Sequence, residues 1–237
     1  MTTDRRDRIL NLLYPVGGGQ LDAAHLGQVC VTATGVTGAG LMLMSGEFPR
    51  GSVAATDATS TLIEDLQFSL GEGPCIDAYR LDQPVLEPDL ANPSIVRWVA
   101  FTPPAVEAGA RSVFGFPLQV GSVRLGALNL YCDRPMDLTD DQHASALVAA
   151  EIAAHALLIM QARAPLGILA AELEASSNFQ YVVHQAAGMV SAQLDVSVAQ
   201  ALIRLRGYAF GQGRLLADVA RDVVDRRLRF GDGRDPV

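Results

Sequence analysis

Few side chains in this 237-residue sequence carry chemistry of their own, and what is missing narrows the field. All eighteen basic residues are arginines; there is no lysine. That excludes a phosphate-loop lysine, a Schiff-base lysine and a Ser-x-x-Lys nucleophile pair. Arginine still suits planar contacts with phosphates and bases. The three cysteines, Cys30, Cys75 and Cys132, are widely spaced, and no Cys-x-x-Cys occurs. Neither a disulfide framework nor a zinc ribbon is expected, and a reducing cytoplasm fits best. Cys75 stands near the start of a predicted helix, where the dipole favours thiolate. It reads either as a redox-sensing thiol or as a small buried residue in a pocket wall. His25, His143, His155 and His184 are scattered with no metal-ligand spacing. No metal and no catalytic centre are expected.

A second set of candidates lies near the C-terminus. Arg204, Arg214, Arg221, Arg226 and Arg227 are candidates for contact with an anionic partner. Each has a plainer alternative, pairing within its own helix. Arg214–Asp218, Asp222–Arg226 and Asp225–Arg229 are all at i, i+4 spacing, worth a few tenths of a kcal/mol each, about 0.2–0.5. Arg204 points away from the apolar face of its helix, whereas Arg206 lies at the edge of that face and reads as structural. Tyr208 reads either as a base-stacking ring or, with more weight, as packing. Gly188 sits inside a helix, where glycine costs about 0.5–1 kcal/mol relative to alanine. Close approach of another helix is the simplest reason, and approach of a partner's backbone is the functional one.

The elements that must position these residues follow from periodicity. Leu21–Thr34 reads as a helix ended by the glycines at 35–40. Leu41–Met44 and Ser52–Thr56 read as strands. Thr61-Leu-Ile-Glu64 has capping-box spacing and predicts a helix from there to about Ser69. A short helix Pro74–Tyr79 follows, with proline at its first position. Gln83–Asp89 reads as a short strand, and Val96–Gly109 as mixed helix and turn interrupted by Pro103 and Pro104. Ser112–Val120 and Val123–Tyr131, joined at Gly121-Ser122, read as a hairpin. Thr139-Asp-Asp-Gln142 is a second capping box, opening a long alanine-rich helix to about Arg163. Leu166–Ala175 reads as a helical continuation. Three amphipathic segments close the chain. Their faces are Phe179, Val182, Val183, Ala186 and Val190; then Val198, Ala201, Leu202, Leu205 and Ala209; then Leu216, Val219, Ala220, Val223 and Val224.

The expected fold class is α+β: an antiparallel sheet flanked by helices, a long helical linker and a C-terminal three-helix bundle. The expected division is 1–137, 138–177 and 178–237. About half the residues are hydrophobic, a core-forming composition, and no run reads as a membrane span. The glycines at 35–40 precede a strand, the wrong context for a dinucleotide site. Net charge is −8, unevenly spread. Residues 178–230 hold seven arginines against four acids, so a mildly basic end follows an acidic body and suggests an anionic partner.

Two resemblances fit this order. Residues 20–160 resemble a GAF domain, carried by Leu70-Gly-Glu-Gly-Pro-Cys-Ile-Asp-Ala78, Ser112–Val120 and Leu125-Gly-Ala-Leu-Asn-Leu-Tyr131. Residues 178–230 resemble an ANTAR domain, an RNA-binding antiterminator module, carried by Gln185-Ala-Ala-Gly-Met-Val190, Ala201-Leu-Ile-Arg-Leu-Arg206 and Arg214-Leu-Leu-Ala-Asp-Val-Ala220. The ANTAR pattern is departed from at Ala187, where a lysine is common, at Ser191, and at Gly213, where asparagine is common. Together the resemblances imply a non-enzymatic, ligand- or redox-responsive regulator of transcription termination. They imply RNA stem-loops as partners, contacted through Arg204, Arg214, Arg221, Arg226, Arg227 and Gly188 with Arg214 at the family's basic position before the third helix, a homodimer joined through the long helices, an unknown small-molecule ligand and no cofactor. The implied ligand pocket has Phe68, Cys75, Trp98, Phe114 and Phe116 as candidates by position, each also able to be plain core. Two alternatives stand beside this reading: a GAF-mediated protein-interaction module that has lost RNA binding, and a GAF-type methionine sulfoxide reductase.

Overall fold

A computed structural model describes residues 2–14, 22–45, 48–163 and 178–231. The chain divides into two compact units, Met1–Leu173 and Glu174–Val237. The expected continuation at Leu166–Ala175 lies outside the described residues.

The first unit is built on one antiparallel sheet in the order β2-β1-β5-β4-β3. Its strands are β1 (Gly38–Ser45), β2 (Phe48–Ala55), β3 (Val85–Glu87), β4 (Ser112–Val120) and β5 (Val123–Cys132). The β4–β5 hairpin turns at Gly121, whose φ of 58° favours glycine. Both faces are covered, so β4 and β5 are buried along most of their length rather than in alternation. On one face lie α1 (Thr2–Leu13), α2 (Ala23–Thr34) and α6 (Asp140–Arg163). They pack with Ala39, Leu41, Phe114, Phe116, Leu118, Leu128 and Leu130. Arg5 pairs with Asp141, and Arg6 with Glu151 at 2.7 Å, tying α1 to α6. Helix α6 is long and apolar enough to cross a membrane, but more than half of its most apolar stretch is buried, as in a core helix.

The other face carries α3 (Ala58–Leu70), α4 (Pro74–Leu81) and α5 (Thr102–Glu107). Ile63, Ala78, Trp98, Phe101, Ala105, Val113 and Tyr131 form one core there. Two expectations change on this face. Helix α3 opens at Ala58, because the Asp57 carboxylate caps it by accepting from the Ser60 N–H at 2.7 Å. Thr61 is then one turn inside, donating to the Asp57 carbonyl, and Glu64 faces the interior instead of closing a cap. The prolines at 103 and 104 start α5 rather than interrupt it, in the first turn where a missing N–H costs nothing. The capping box at Thr139 and Gln142 forms as read, with both reciprocal bonds present.

The second unit contains α7 (Asn178–Leu194), α8 (Val198–Gly211) and α9 (Leu216–Val224). Val183, Ala186, Ala187 and Val190 of α7 are buried with Ala201, Leu202, Leu205 and Ala209 of α8 and Leu216, Val219, Ala220 and Val223 of α9. Val198 departs from the expected face and is half exposed, because it starts the helix directly after the Ser197 cap. The Ser197–Gln200 capping box is complete.

Candidate ligand site

The second face of the sheet holds a cluster of buried polar groups that the hydrophobic pattern does not require. It starts from one cross-strand row. In register, Gly40 of β1 lies beside Asn129 of β5, which lies beside Gly115 of β4. Both neighbours of Asn129 therefore lack side chains, and each absence admits a helix. A Cβ on Gly40 would stand 2.5 Å from Glu64 Oε1, and one on Gly115 would stand 2.3 Å from the Pro74 carbonyl oxygen. Asn129 is thus the side chain between two glycines, roofed by Glu64 of α3 and the start of α4.

Gln67 joins Glu64 on the same face of α3, one turn on. Its Oε1 accepts the Cys75 N–H at 2.7 Å, which caps α4 from outside and turns the Gln67 NH2 toward the interior. Gly73, at φ 126°, makes room for that arrangement: a Cβ there would meet Gln67 Cγ at 2.6 Å. Glu64, Gln67 and Asn129 are all fully buried. Both Glu64 oxygens, Gln67 Nε2 and both polar atoms of the Asn129 amide have no hydrogen-bond partner. Burial, then the charge of Asp65, raises the Glu64 carboxyl well above the usual carboxylate range, and Asn129 only partly eases this. Asn129 faces Glu64 without reaching a hydrogen bond of normal geometry. The next row is closed on itself: Tyr131 donates to Asp57 at 3.0 Å, and Asp57 also caps α3. Burial above all pushes the Tyr131 hydroxyl up to about 12.

The sequence candidates divide about the sheet. Cys75 is fully buried in α4 beside Gln67, and Phe68 is buried on α3. Trp98 belongs to the same side, donating to Asp77 of α4 at 2.8 Å and meeting Phe101 edge-on at 5.9 Å. Phe114 and Phe116 point the other way, into the core under α2 and α6, so they share no pocket wall with Cys75. The period-2 alternation of β4 sets this: Gly115 faces α4, and its neighbours cannot. The helix-start argument for a Cys75 thiolate also yields. Burial first, then Glu64, raises the thiol well above its ordinary value. Cys30 and Cys132 lie in the opposite core, and burial pushes Cys30 up to about 12. Among the described residues no group of side chains is arranged to hold a metal ion.

Glu64, Gln67 and Asn129 are not among the residues that sequence reasoning singles out. The capping-box spacing hides Glu64. The readable signals are a lone asparagine inside the apolar run 125–131, and glycines at 40 and 115 inside strands, which mark close approach.

In the second unit the arginines separate by partner. Arg214 pairs with Asp222 at 2.6 Å, not with Asp218, and Asp222 also takes Arg227 at 2.8 Å. These bonds, before any other cause, raise Arg214 and lower Asp222 from their ordinary values. Arg221 pairs with Asp218 at 3.2 Å, and Arg227 also with Asp225 at 2.8 Å. Arg204 and Arg226 are exposed and have no ion-pair partner among the described residues. Tyr208 packs edge-on against Phe230 at 5.5 Å. Gly188 is exposed, and a Cβ added there would meet nothing within 4 Å, so helix approach does not explain it. Ala187 is buried, the Ser191 hydroxyl donates to the Val196 carbonyl at 2.6 Å, and Gly213 has φ 60°, a conformation glycine and asparagine both favour.

Comparison with known proteins gives a consistent picture of the first unit. The GAF domain of a phosphoenolpyruvate-protein phosphotransferase from Coxiella burnetii superposes with a TM-score of 0.51 at 12% identity, covering 68% of this chain and 95% of that one. A domain of a two-component sensor histidine kinase protein from Sinorhizobium meliloti matches at 17% identity and TM-score 0.47, covering 58% and 88%. A type II free methionine-R-sulfoxide reductase from Thermoplasma acidophilum matches at 17% and 0.39, covering 50% and 77%. No curated protein sequence matches the chain. At 12% identity the Coxiella burnetii likeness speaks for the fold alone. The family comparison matches a GAF domain over residues 23–158, more than half of the sequence, and the chain belongs to the GAF domain family.

Proposed function

We propose that this protein is a non-enzymatic regulator in which the GAF domain senses a small molecule and the C-terminal three-helix unit binds RNA stem-loops, acting on transcription termination. The observation that carries the sensing half is the set of five unpaired polar atoms on Glu64, Gln67 and Asn129. Native interiors pair such atoms with protein, water or ligand, since each one left bare costs about 1–3 kcal/mol. The output half rests on the ANTAR resemblance and on Arg204 and Arg226, which are exposed and uncommitted to ion pairs among the described residues. Arg214, Arg221 and Arg227 serve first to hold α9 and the turn after it. A homodimer through α6 joins the two halves of the proposal. Leu147, Glu151, His155 and Ile159 are exposed at every fourth residue along that helix. A groove of about 330 Å³ runs beside Leu147, Glu151 and His155, lined also by Pro117, Gln119 and Val120. The test is titration of the whole chain against paired stem-loop RNA and matched duplex DNA at one fixed salt concentration.

A second reading has its own observation. Ile203, Phe210 and Leu215 are exposed apolar residues at 57%, 70% and 71%. They favour a protein-interaction module, and absence of RNA preference in that titration would select it. The arrangement gives the reductase reading no support, because Cys75 lies across the sheet from Cys30 and Cys132.

A further inference from the structure

Helix α6 leaves one face open, and the order of residues along it is the same from either end. From Leu147 to Ile159 the residues that are not buried are Leu147, Val148, Glu151, His155, Leu158 and Ile159. Their positions are symmetric about Ala153: Leu147 matches Ile159, Val148 matches Leu158, and Glu151 matches His155. One step further out, Ala144 matches Ala162. The outer matches join apolar residues to apolar residues, and the central one joins an acid to an imidazole. The rest of the helix is taken up by the core, through Ala146, Ala149, Ile152, Ala153, Ala156 and Leu157.

A two-fold axis between antiparallel helices sets each residue opposite the one equally far beyond the axis, so the same patch must complement itself. This face does. We propose that α6 is the seam of an antiparallel homodimer whose axis passes at Ala153. Leu147 then meets the partner's Ile159, Val148 the partner's Leu158, and Glu151 the partner's His155. Local bonds already aim the central pair outward. Arg6 of α1 donates to Glu151 Oε1 at 2.7 Å, which leaves Oε2 for a second donor. His155 Nδ1 lies 2.9 Å from the Glu151 carbonyl oxygen, which can only accept, so Nδ1 carries a hydrogen and Nε2 is left for the partner. As an imidazolium, the ring donates its Nε2–H to the partner's Glu151. The inference rests on the α6 dimer of the reading above and fixes its direction and register.

The groove argues for the same direction. It lies along Leu147, Glu151 and His155, the first half of the stripe. In the antiparallel pair the partner's Leu158 and Ile159 lie over it, so each copy supplies one groove and the apolar side chains that meet it. In a parallel pair groove faces groove, Glu151 faces the partner's Glu151, and like charges repel across the seam. An unrelated partner would not require the face to complement itself. At 1.5 Å per residue, the antiparallel pair sets the two Arg163 ends of α6 about 30 Å apart along the helices.

Cross-linking of the whole chain with a short bis-maleimide tests direction and register together. The native thiols are all buried, so the linker reads introduced cysteines. Leu147→Cys and Ile159→Cys are made singly and together. The expected result is a covalent dimer from the double variant and none from either single variant, because each introduced thiol then lies about 18 Å along the seam from its own copy in the partner. Covalent dimers from both single variants would overturn the proposal in favour of a parallel pair, with the α6 joint intact. A dimeric wild type whose double variant does not cross-link would place the seam elsewhere. A monomeric wild type in sedimentation would remove the joint itself. A second pair of variants reads the central contact without cysteines. His155→Glu sets acid against the partner's Glu151 and should weaken self-association about tenfold or more, whereas His155→Arg should retain it. Equal weakening by both would contradict the antiparallel pair, since only like-on-like packing penalises the two alike. The RNA titration judges the output half independently of all these results.

Discussion

Glu64 is the residue on which the proposed sensing site turns, and its protonation makes a prediction of its own. In the folded chain burial and Asp65 raise its carboxyl well above the ordinary value; in the unfolded chain it titrates at about 4.3. Between those two values the folded state holds the extra proton, so stability falls as pH rises. The contribution is fully present below the unfolded value and is lost as pH climbs toward the folded one. Urea unfolding at pH 5 and pH 8 should show wild type losing stability on that rise and Glu64→Gln losing less. Equal losses in the two proteins would mean that Glu64 is solvated in the folded state. Glu64→Leu should be more stable than wild type at pH 8 by about 1–3 kcal/mol, because a bare carboxyl is replaced by packing. At this scale sequence is a partial guide. Cys75 and Trp98, two of its pocket candidates, lie on the face of the sheet under α3 and α4, but it assigns Glu64 to a helix cap because spacing alone cannot tell a capping carboxyl from a buried one. It also groups Phe114 and Phe116 with the pocket. Aromatic character marks burial, and only strand register says on which face.

Elements are more legible than sites. The hairpin around Gly121 and the long helix after Thr139 follow from alternation and capping patterns, because those signals are local. The start of α3 shifts by one turn because two acceptable caps, Asp57 and Thr61, stand four residues apart, and the end of β2 at Ala55 decides between them. What positions the site is the close seating of α4 on β4, and that rests on Gly115. A Cβ there would lie 2.3 Å from the Pro74 carbonyl oxygen, a backbone atom that cannot rotate away. Gly115→Ala should therefore displace the start of α4 and destabilise the domain by about 1–3 kcal/mol, as overpacking does. Gly121→Ala, with nothing within 4 Å, makes a control in which only the φ of 58° is strained. Denaturant midpoints for the pair test this; equal midpoints to wild type in Gly115→Ala would mean that α4 is not held by that contact.

At the scale of the whole molecule the proposal joins an acidic sensing body to a mildly basic end through α6. The dimer it invokes is tested by sedimentation equilibrium. Ile159→Arg, on the exposed stripe of α6, should shift the mass toward monomer, whereas an unchanged dimer, or a monomeric wild type, would remove α6 as the joint. RNA binding is the central claim. The decisive measurement is the affinity of the whole chain for paired stem-loop RNA and matched duplex DNA at fixed near-physiological salt, with Arg204→Ala, Arg226→Ala and Arg214→Ala alongside. Salt is held constant because phosphate contacts make affinity depend steeply on it. The account predicts selective RNA binding that falls several-fold in the Arg204 and Arg226 variants at unchanged stability. Arg214→Ala should instead lose stability first, through its bond to Asp222. No preference for RNA over DNA, or binding that ignores both exposed arginines, would contradict it and leave the exposed apolar surface at Ile203, Phe210 and Leu215 as the output of this chain.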